Sequence, residues 1–366
     1  MKRRLWRRFD WYLLSLVLLL GSFGILMVAS ALSGNAILVQ WPWRQASFLA
    51  TGLVLLLLVA LLDYRLLASL AYAIYTVLLV ILAALSIAGT VAGGAQRWYS
   101  LGDFLLQPSE LVKIGVILAL AHYLSSREEK TESLMTPLAA LLILLPAVVL
   151  IYLQPNFSTA LSLLVIGGVM LVVGGLRWRH ALVLSLLGAG AAVAAWQFFL
   201  QDYMKDRVLM FLDPSKVPAA DRYNIEQAVI SIGSGGWLGR GLFRGSQSQL
   251  HFLRVRHTDF IFSVTAEELG FAGAALLIVL FGLLLFRLMH VASTSHDAFG
   301  RLIVTGVATM IFFQVIVNIG MNLNLLPVTG LPLPFISYGG SSLWTMLLGI
   351  GLAESVAIYH RKITFE

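Results

Sequence analysis

The sequence predicts an all-α polytopic membrane protein of about ten transmembrane helices, with both termini cytoplasmic and a long outer loop between spans 7 and 8. Three observations carry this reading. Of 366 residues, 59% are hydrophobic and only 12% charged. Runs such as WYLLSLVLLLGSFGILMVASAL recur along the chain. Basic residues, finally, concentrate in alternate short turns. A hydrocarbon core about 30 Å thick takes about 20 apolar residues per helix, and only helices or closed barrels satisfy the backbone in lipid. These runs are too long for barrel strands of about 9–11 residues.

The spans fall at roughly 11–32, 46–62, 66–90, 108–124, 137–153, 158–176, 181–200, 259–286, 302–320 and 341–359. The first run is too long for a cleaved signal peptide and lacks a small-residue cleavage pattern, so it reads as a true span. MKRRLWRRFDW at the start is basic and therefore cytoplasmic, and ten spans return HRKITFE to the same side. Arg65, Arg127, Lys130, Arg177, Arg179, Arg287 and Arg301 then lie inside, whereas outer loops before residue 200 hold only Arg44 and Arg97. That asymmetry follows the positive-inside rule. Residues 1–366 form one integral-membrane domain. No internal repeat is evident, which weighs against transporter folds built on inverted repeats. There is no cysteine, so disulfides and thiolate metal sites are excluded. The net charge of +7 serves span orientation and anionic lipid head groups rather than nucleic acid.

The 201–258 segment carries Lys205, Arg207, Lys216, Arg222, Arg240, Arg244, Arg254 and Arg256. It also holds Trp237, Leu242, Phe243, Leu250, Phe252 and Leu253, so it should be partly folded against the membrane. It reads either as a solvated loop on anionic head groups or as a surface for a phosphate-bearing substrate.

Four polar constellations stand out. Asp259, flanked by Arg254, Arg256, His257 and Thr258, sits where the basic loop meets span 8. Ionisable groups in lipid cost roughly 2.5–3.5 kcal/mol on insertion scales and usually mark function. Asp259 reads either as a helix cap, with Thr258 as the other candidate, or as a reactive acid. Glu110 and Lys113 lie at i, i+3 behind Pro108, where Gln107 or Ser109 can cap. They read as a self-neutralising pair, or Lys113 reaches Asp259 or a phosphate. PVTGLPLPFISYGGSSL (327–343) is too rich in Pro and Gly for a straight helix and must line a cavity or be buried. Ser337, Tyr338 and the Gly339–Gly340 amides are its candidate ligand contacts. The Gly-rich stretch 233–250, with Arg240 and Arg244, is a weak phosphate-cradle signal. Glu267 and Glu268 point about 100° apart on a helix, so at least one pairs within the bundle. His122, His290 and His360 lie near cytoplasmic ends, and no spacing matches a metal site.

QRWYSLG (96–102), QPSELVK (107–113), QAVISIGSGGWLGRGL (227–242), GSQSQLHFL (245–253), HTDFIFSVTAEELGF (257–271) and LLPVTGLPLPFISYGGSS (325–342) together resemble the SEDS family (shape, elongation, division and sporulation), nearer its RodA than its FtsW branch. The resemblance covers essentially the whole chain. It implies a ten-span peptidoglycan glycosyltransferase that polymerises lipid II at the outer face of the bacterial cytoplasmic membrane during elongation and rod-shape maintenance. A class B penicillin-binding protein would be the partner. The family aspartate lands on Asp259, as general base. Glu110, Lys113, His257 and Thr258 would support it. Arg97, Trp98, Gln107, Arg240, Arg244, Gln247, Ser337, Tyr338, Gly339 and Gly340 would contact lipid II or its polyprenyl pyrophosphate, with or without a divalent cation (Mg or Mn). The family's QPDLGTA reads QPNFSTA here, so Asn156 replaces a carboxylate; Leu253-Arg254-Val255 replaces Leu-Pro-Glu. A lipid II flippase, or a non-catalytic activator of the penicillin-binding protein, is the alternative.

Overall fold

A computed structural model describes residues 8–33, 38–92, 95–102, 104–127, 133–213, 215, 218–250 and 252–359. The basic residues 1–7, Lys130, Lys216 and the C-terminal stretch with His360 lie outside the described residues. Every predicted span falls on a helix: α1 Trp11–Ala31, α2 Trp41–Leu61, α3 Tyr64–Ala88, α4 Pro108–Ser125, α5 Met135–Leu153, α6 Phe157–Val173, α7 Trp178–Ala194, α11 Ile261–Thr294, α12 Ala298–Asn322 and α13 Gly340–Tyr359. Eight of these are long and apolar enough to cross a membrane, α7 by its helical continuation to Phe198; α6 has 17 residues, and α4 carries the Glu110–Lys113 pair. Local chemistry sets their starts. The side chains of Asp10, Asp63 and Asn156 accept hydrogen bonds from first-turn amides, and Pro108 opens α4 at N1.

α12 lies at the centre, packed on α4, α6, α11 and α13, and is mostly buried and apolar except along the side that lines a groove. α7 buries none of its residues and is peripheral. The 201–258 segment is indeed folded: it holds α8 Asp202–Leu212, α9 Ala219–Ser234 and the single turn α10 Ser246–Gln249. A three-stranded antiparallel sheet, β1 Thr90–Ala92, β2 Ala95–Leu101 and β3 Phe104–Leu106, was not expected from the sequence. β1 and β3 have only three residues each, and register (Thr90 opposite Trp98, Tyr99 opposite Leu106) identifies the pairing.

Span 8 differs most from expectation. α11 runs 34 residues, about 51 Å at helical rise, and is broken at Gly270 (φ 66°, ψ −165°). The turn after α9 wedges into the break and takes over the freed backbone groups. Arg240 N donates to Glu267 O at 3.0 Å and Gly241 N to Glu268 O at 2.9 Å. In return Phe271 N donates to Gly236 O at 2.8 Å and Ala272 N to Trp237 O at 3.1 Å. Contact is so close that a methyl group on Gly239 (φ 80°) would stand 2.1 Å from Glu268 O, and one on Gly270 would stand 2.3 Å from Gly239 N. The glycines of 233–250 therefore repair a broken helix. The amides of Gly239, Arg240 and Gly241 are thereby occupied within the protein.

Both Glu267 and Glu268 staple this wedge. Glu267 accepts from Gln247 N (2.8 Å), Ser248 N (3.3 Å) and Ser246 Oγ (3.2 Å). Glu268 accepts from Ser30 Oγ on α1 and Phe243 N. Replacing Gly270 or Gly239 by Ala should destabilise the fold by about 1–3 kcal/mol from the disallowed φ alone, with more from the clash. A lowered unfolding midpoint of the detergent-solubilised protein measures it, beside a Gly282→Ala control in open space whose midpoint should not fall.

Candidate active site

Asp259 lies in a turn two residues before α11, on the side of the bundle that the charge bias assigns to the outside. Three consecutive carbonyls of this turn are each held by another element. His257 O accepts from Tyr338 N at 2.9 Å. Thr258 O accepts from Ser337 Oγ at 2.6 Å. Asp259 O accepts from Nδ2 of both Asn318 and Asn322, at 3.0 Å each. The helix-capping role falls elsewhere: the early amide of Ser263 donates to Asn322 Oδ1 at 3.2 Å, and Phe260 is the N-cap residue. Neither Asp259 nor Thr258 caps α11, which leaves the Asp259 carboxylate available.

That carboxylate faces the 327–331 segment; a methyl group on Gly330 would stand 3.4 Å from its Oδ2. Arg207 of α8 supplies the nearby positive charge and donates from Nη1 to Thr329 O at 3.1 Å. Thr329 O also accepts from Ser158 Oγ at the start of α6. Beside this mouth an apolar groove of about 1080 Å³ opens between α6, α11 and α12, lined by Phe157, Leu161, Phe286, Phe312, Val317 and Pro327 among others. Arg207 stands at one end and Arg301 at the other. From Arg301 to Val317 it follows α12 for about 24 Å, most of a bilayer core of about 30 Å.

Asp259 keeps a partial opening to solvent, yet burial pushes its carboxyl up to about 6 against the opposing pull of Arg207 and a hydrogen bond from Thr258. Burial, with Arg256 nearby, pushes His257 down to about 4, so its ring is neutral at pH 7. It packs edge-on against Trp41, 5.1 Å between centroids, and against Tyr338. His257 is wall, and Thr258 a neighbour that bonds the acid.

The other predicted residues divide. Lys113 Nζ lies 2.8 Å from both carboxylate oxygens of Glu110, with both side chains buried. That is the self-neutralising pair. Ser337 and the Gly339 amide are engaged internally, the latter to Gln45 Oε1 at 3.3 Å, and the Gly340 position is closed by Phe104. Tyr338 stacks on Trp41 at 4.5 Å. This wall therefore holds the acid's turn and offers few amides to a ligand. Arg97 donates to Gln154 O (2.8 Å) and Pro155 O, bracing the entry to α6, while Trp98 sits in β2. Gln107 precedes Pro108 and gives its amide to Ser341 Oγ. Arg240 bonds Ser234 O and Ser246 Oγ; Arg244 is exposed; Gln247 gives its amide to Glu267. Arg256 turns to Ala31 O at the end of α1, and Arg254 lies over Tyr223, so neither partners Asp259. Asn156 does what its amide allows: Oδ1 caps α6 through Thr159 N, and Nδ2 reaches Ser109 Oγ at 3.5 Å.

Asn318, Asn322 and Thr329 are not among the residues expected at the site, and Arg207 is expected only as one of eight loop cations. Two asparagines at i, i+4 in an apolar span were the available signal. Because Glu110 and Lys113 neutralise each other, Lys113→Met should destabilise by about 3–5 kcal/mol by leaving a buried charge. Glu110→Gln with Lys113→Met should recover most of that, read as thermal midpoints of the two proteins.

Comparison places this arrangement among known proteins. A family model described as Cell cycle protein, named for FtsW, RodA and SpoVE, matches residues 10–362. Peptidoglycan glycosyltransferase MrdB of Escherichia coli strain K12 is 39% identical over 320 residues, covering 87% of this chain and 86% of MrdB. Stage V sporulation protein E of Bacillus subtilis strain 168 is 34% identical over 364 residues, covering 96% and 98%. A chain solved in work on the structural coordination of polymerization and crosslinking by a peptidoglycan synthase complex superposes with TM-score 0.83 at 38% identity, covering 96% of this chain and 99% of that one. The crystal structure of rod shape determining protein RodA from Thermus thermophilus gives TM-score 0.71 at 35% identity, covering 97% and 98%.

Proposed function

We propose, for a chain that belongs to the cell cycle protein family of FtsW, RodA and SpoVE, a peptidoglycan glycosyltransferase that polymerises lipid II into β-1,4-linked glycan strands at the outer face of the bacterial cytoplasmic membrane. The observation that carries the reading is a desolvated carboxylate, Asp259, beside Arg207 at the mouth of a membrane-deep apolar groove. The GlcNAc 4-hydroxyl of one lipid II attacks the anomeric carbon of a lipid-linked glycan. Its proton passes to the Asp259 carboxylate as the new C–O bond forms. The bond from that carbon to the α-linked pyrophosphate breaks, and the pyrophosphate leaves with the electron pair, so one inversion gives the β linkage. A general base must lie within hydrogen-bond reach of the attacking hydroxyl, and fixed positive charge must meet the leaving phosphate. Asp259 and Arg207 answer these two needs, and the groove suits a polyprenyl chain.

No group of three or more His, Asp or Glu among the described residues could cage a metal ion. A divalent cation would be held chiefly by pyrophosphate and water, a pattern usual for Mg²⁺. A class B penicillin-binding protein is the proposed partner, supported by the likeness to a chain of a peptidoglycan synthase complex. A flippase would need a polar path for the disaccharide head group, whereas this groove is apolar along its length.

Purified protein incubated with labelled lipid II should form glycan polymer, and Asp259→Asn should lower the rate by about 100-fold or more. Full activity in well-folded Asp259→Asn would end the general-base reading. The base works only unprotonated, so activity should fall as pH drops through about 6. Arg207 opposes the upward shift, so Arg207→Gln should move that acid limb to higher pH. His257, neutral above about 4, contributes nothing to it.

A further inference from the structure

We propose that Asn318 and Asn322 are positioning residues of the reaction: their two amides clamp the Asp259 turn to the wall of the groove and so fix where the base stands. The inference rests on reading Asp259 as that base. Both asparagines are fully buried and lie one turn apart on α12. Asn318 Nδ2 bridges two segments, donating to Asp259 O at 3.0 Å and to Leu331 O at 2.8 Å. These are the strands of chain on either side of the carboxylate, because Gly330 faces Oδ2 and Thr329 O holds Arg207. One amide thus sets the spacing between the base and the segment that carries its cation.

Asn322 completes the clamp. Its Nδ2 donates to Asp259 O at 3.0 Å and to Asn318 O at 2.8 Å. Its Oδ1 accepts from the amide (3.2 Å) and the hydroxyl (2.6 Å) of Ser263, the first turn of α11. Carbonyl oxygens accept; carboxylates, leucines and alanines cannot give two N–H groups to them. An amide side chain is what this geometry requires. Gln314, one turn deeper on the same face, makes a natural comparison: it is equally buried, but its amide has no hydrogen-bond partner among the described residues.

Near isosteric Asn318→Leu and Asn322→Leu would leave the Asp259 carbonyl short of donors and let the turn shift. Misplacement by about 1 Å can cost about 100-fold in rate. Neither residue touches the groove, so the loss should fall on kcat with KM within about twofold. The pH profile supplies the readout that a merely structural role would not move. Arg207 from α8 is the charged group acting on Asp259; His257 is neutral; Arg256 turns to α1 and Arg254 to Tyr223. With these unchanged, a loosened turn admits water to the carboxylate, and the acid limb should move down from about 6 toward the ordinary carboxylate range.

The experiment measures kcat, KM and the acid limb for the full chain with lipid II in proteoliposomes, for wild type, both Leu variants and Gln314→Leu, each confirmed monodisperse. A 10- to 100-fold kcat loss with a lowered acid limb in both asparagine variants, and wild-type behaviour in Gln314→Leu, is the expected result. Wild-type kcat in the folded asparagine variants, or a rate loss with the limb unmoved, would overturn the clamp. Failure of the base reading looks different: Asp259→Asn stays active, or wild type shows no limb near pH 6.

Discussion

In hydrocarbon, every backbone amide and carbonyl must find a partner inside the protein. In this fold that constraint is met in an unusual place. α11 is broken at Gly270, about 14 Å along from its start, and the Gly235–Gly241 turn closes the break with four exchanged backbone hydrogen bonds. Because the turn belongs to the segment between α7 and α11, that segment is tied into the bundle instead of lying on its surface. Earlier in the same segment, α8 sets Arg207 against Thr329 O, which also accepts from Ser158 Oγ at the start of α6. The same break separates a short outer piece of α11, next to the turn that carries Asp259, from the long inner piece that lines the groove.

The site is built from chain segments far apart in sequence. A turn before α11 supplies the acid, α8 the guanidinium, 327–338 the wall, and α12 two amides that hold the turn. Each contact is ordinary in strength, on the order of 1 kcal/mol net. Their effect lies in leaving a carboxylate free of capping duty while its backbone is pinned at three successive carbonyls. Burial then raises its proton affinity into the range where it can act as a base near neutral pH. Many charges that looked chemical prove to be internal. Glu110 and Lys113 cancel each other, Glu267 and Glu268 staple the wedge, and Arg97 and Arg256 satisfy carbonyls at the ends of helices. In a membrane interior an ionisable group needs a partner whether or not it does chemistry. Charge alone therefore overstated the site.

The amino-acid sequence by itself determined the helical spans, because the apolar run length needed to cross a bilayer is a local property. It also singled out Asp259, because an acid between a basic loop and an apolar span is costly without a purpose. The motif resemblance extended that to the chemistry. Tertiary structure decided the rest. The break at Gly270 depends on which turn packs against it, and the residue pattern of span 8 does not encode that contact. Arg207 was indistinguishable from seven other loop cations until α8 was docked. Asn318 and Asn322 looked like two polar residues in a span until their amides met the Asp259 carbonyl. Partner choice across more than 50 residues of chain is settled by packing geometry. Residue type and spacing state only that a partner is needed.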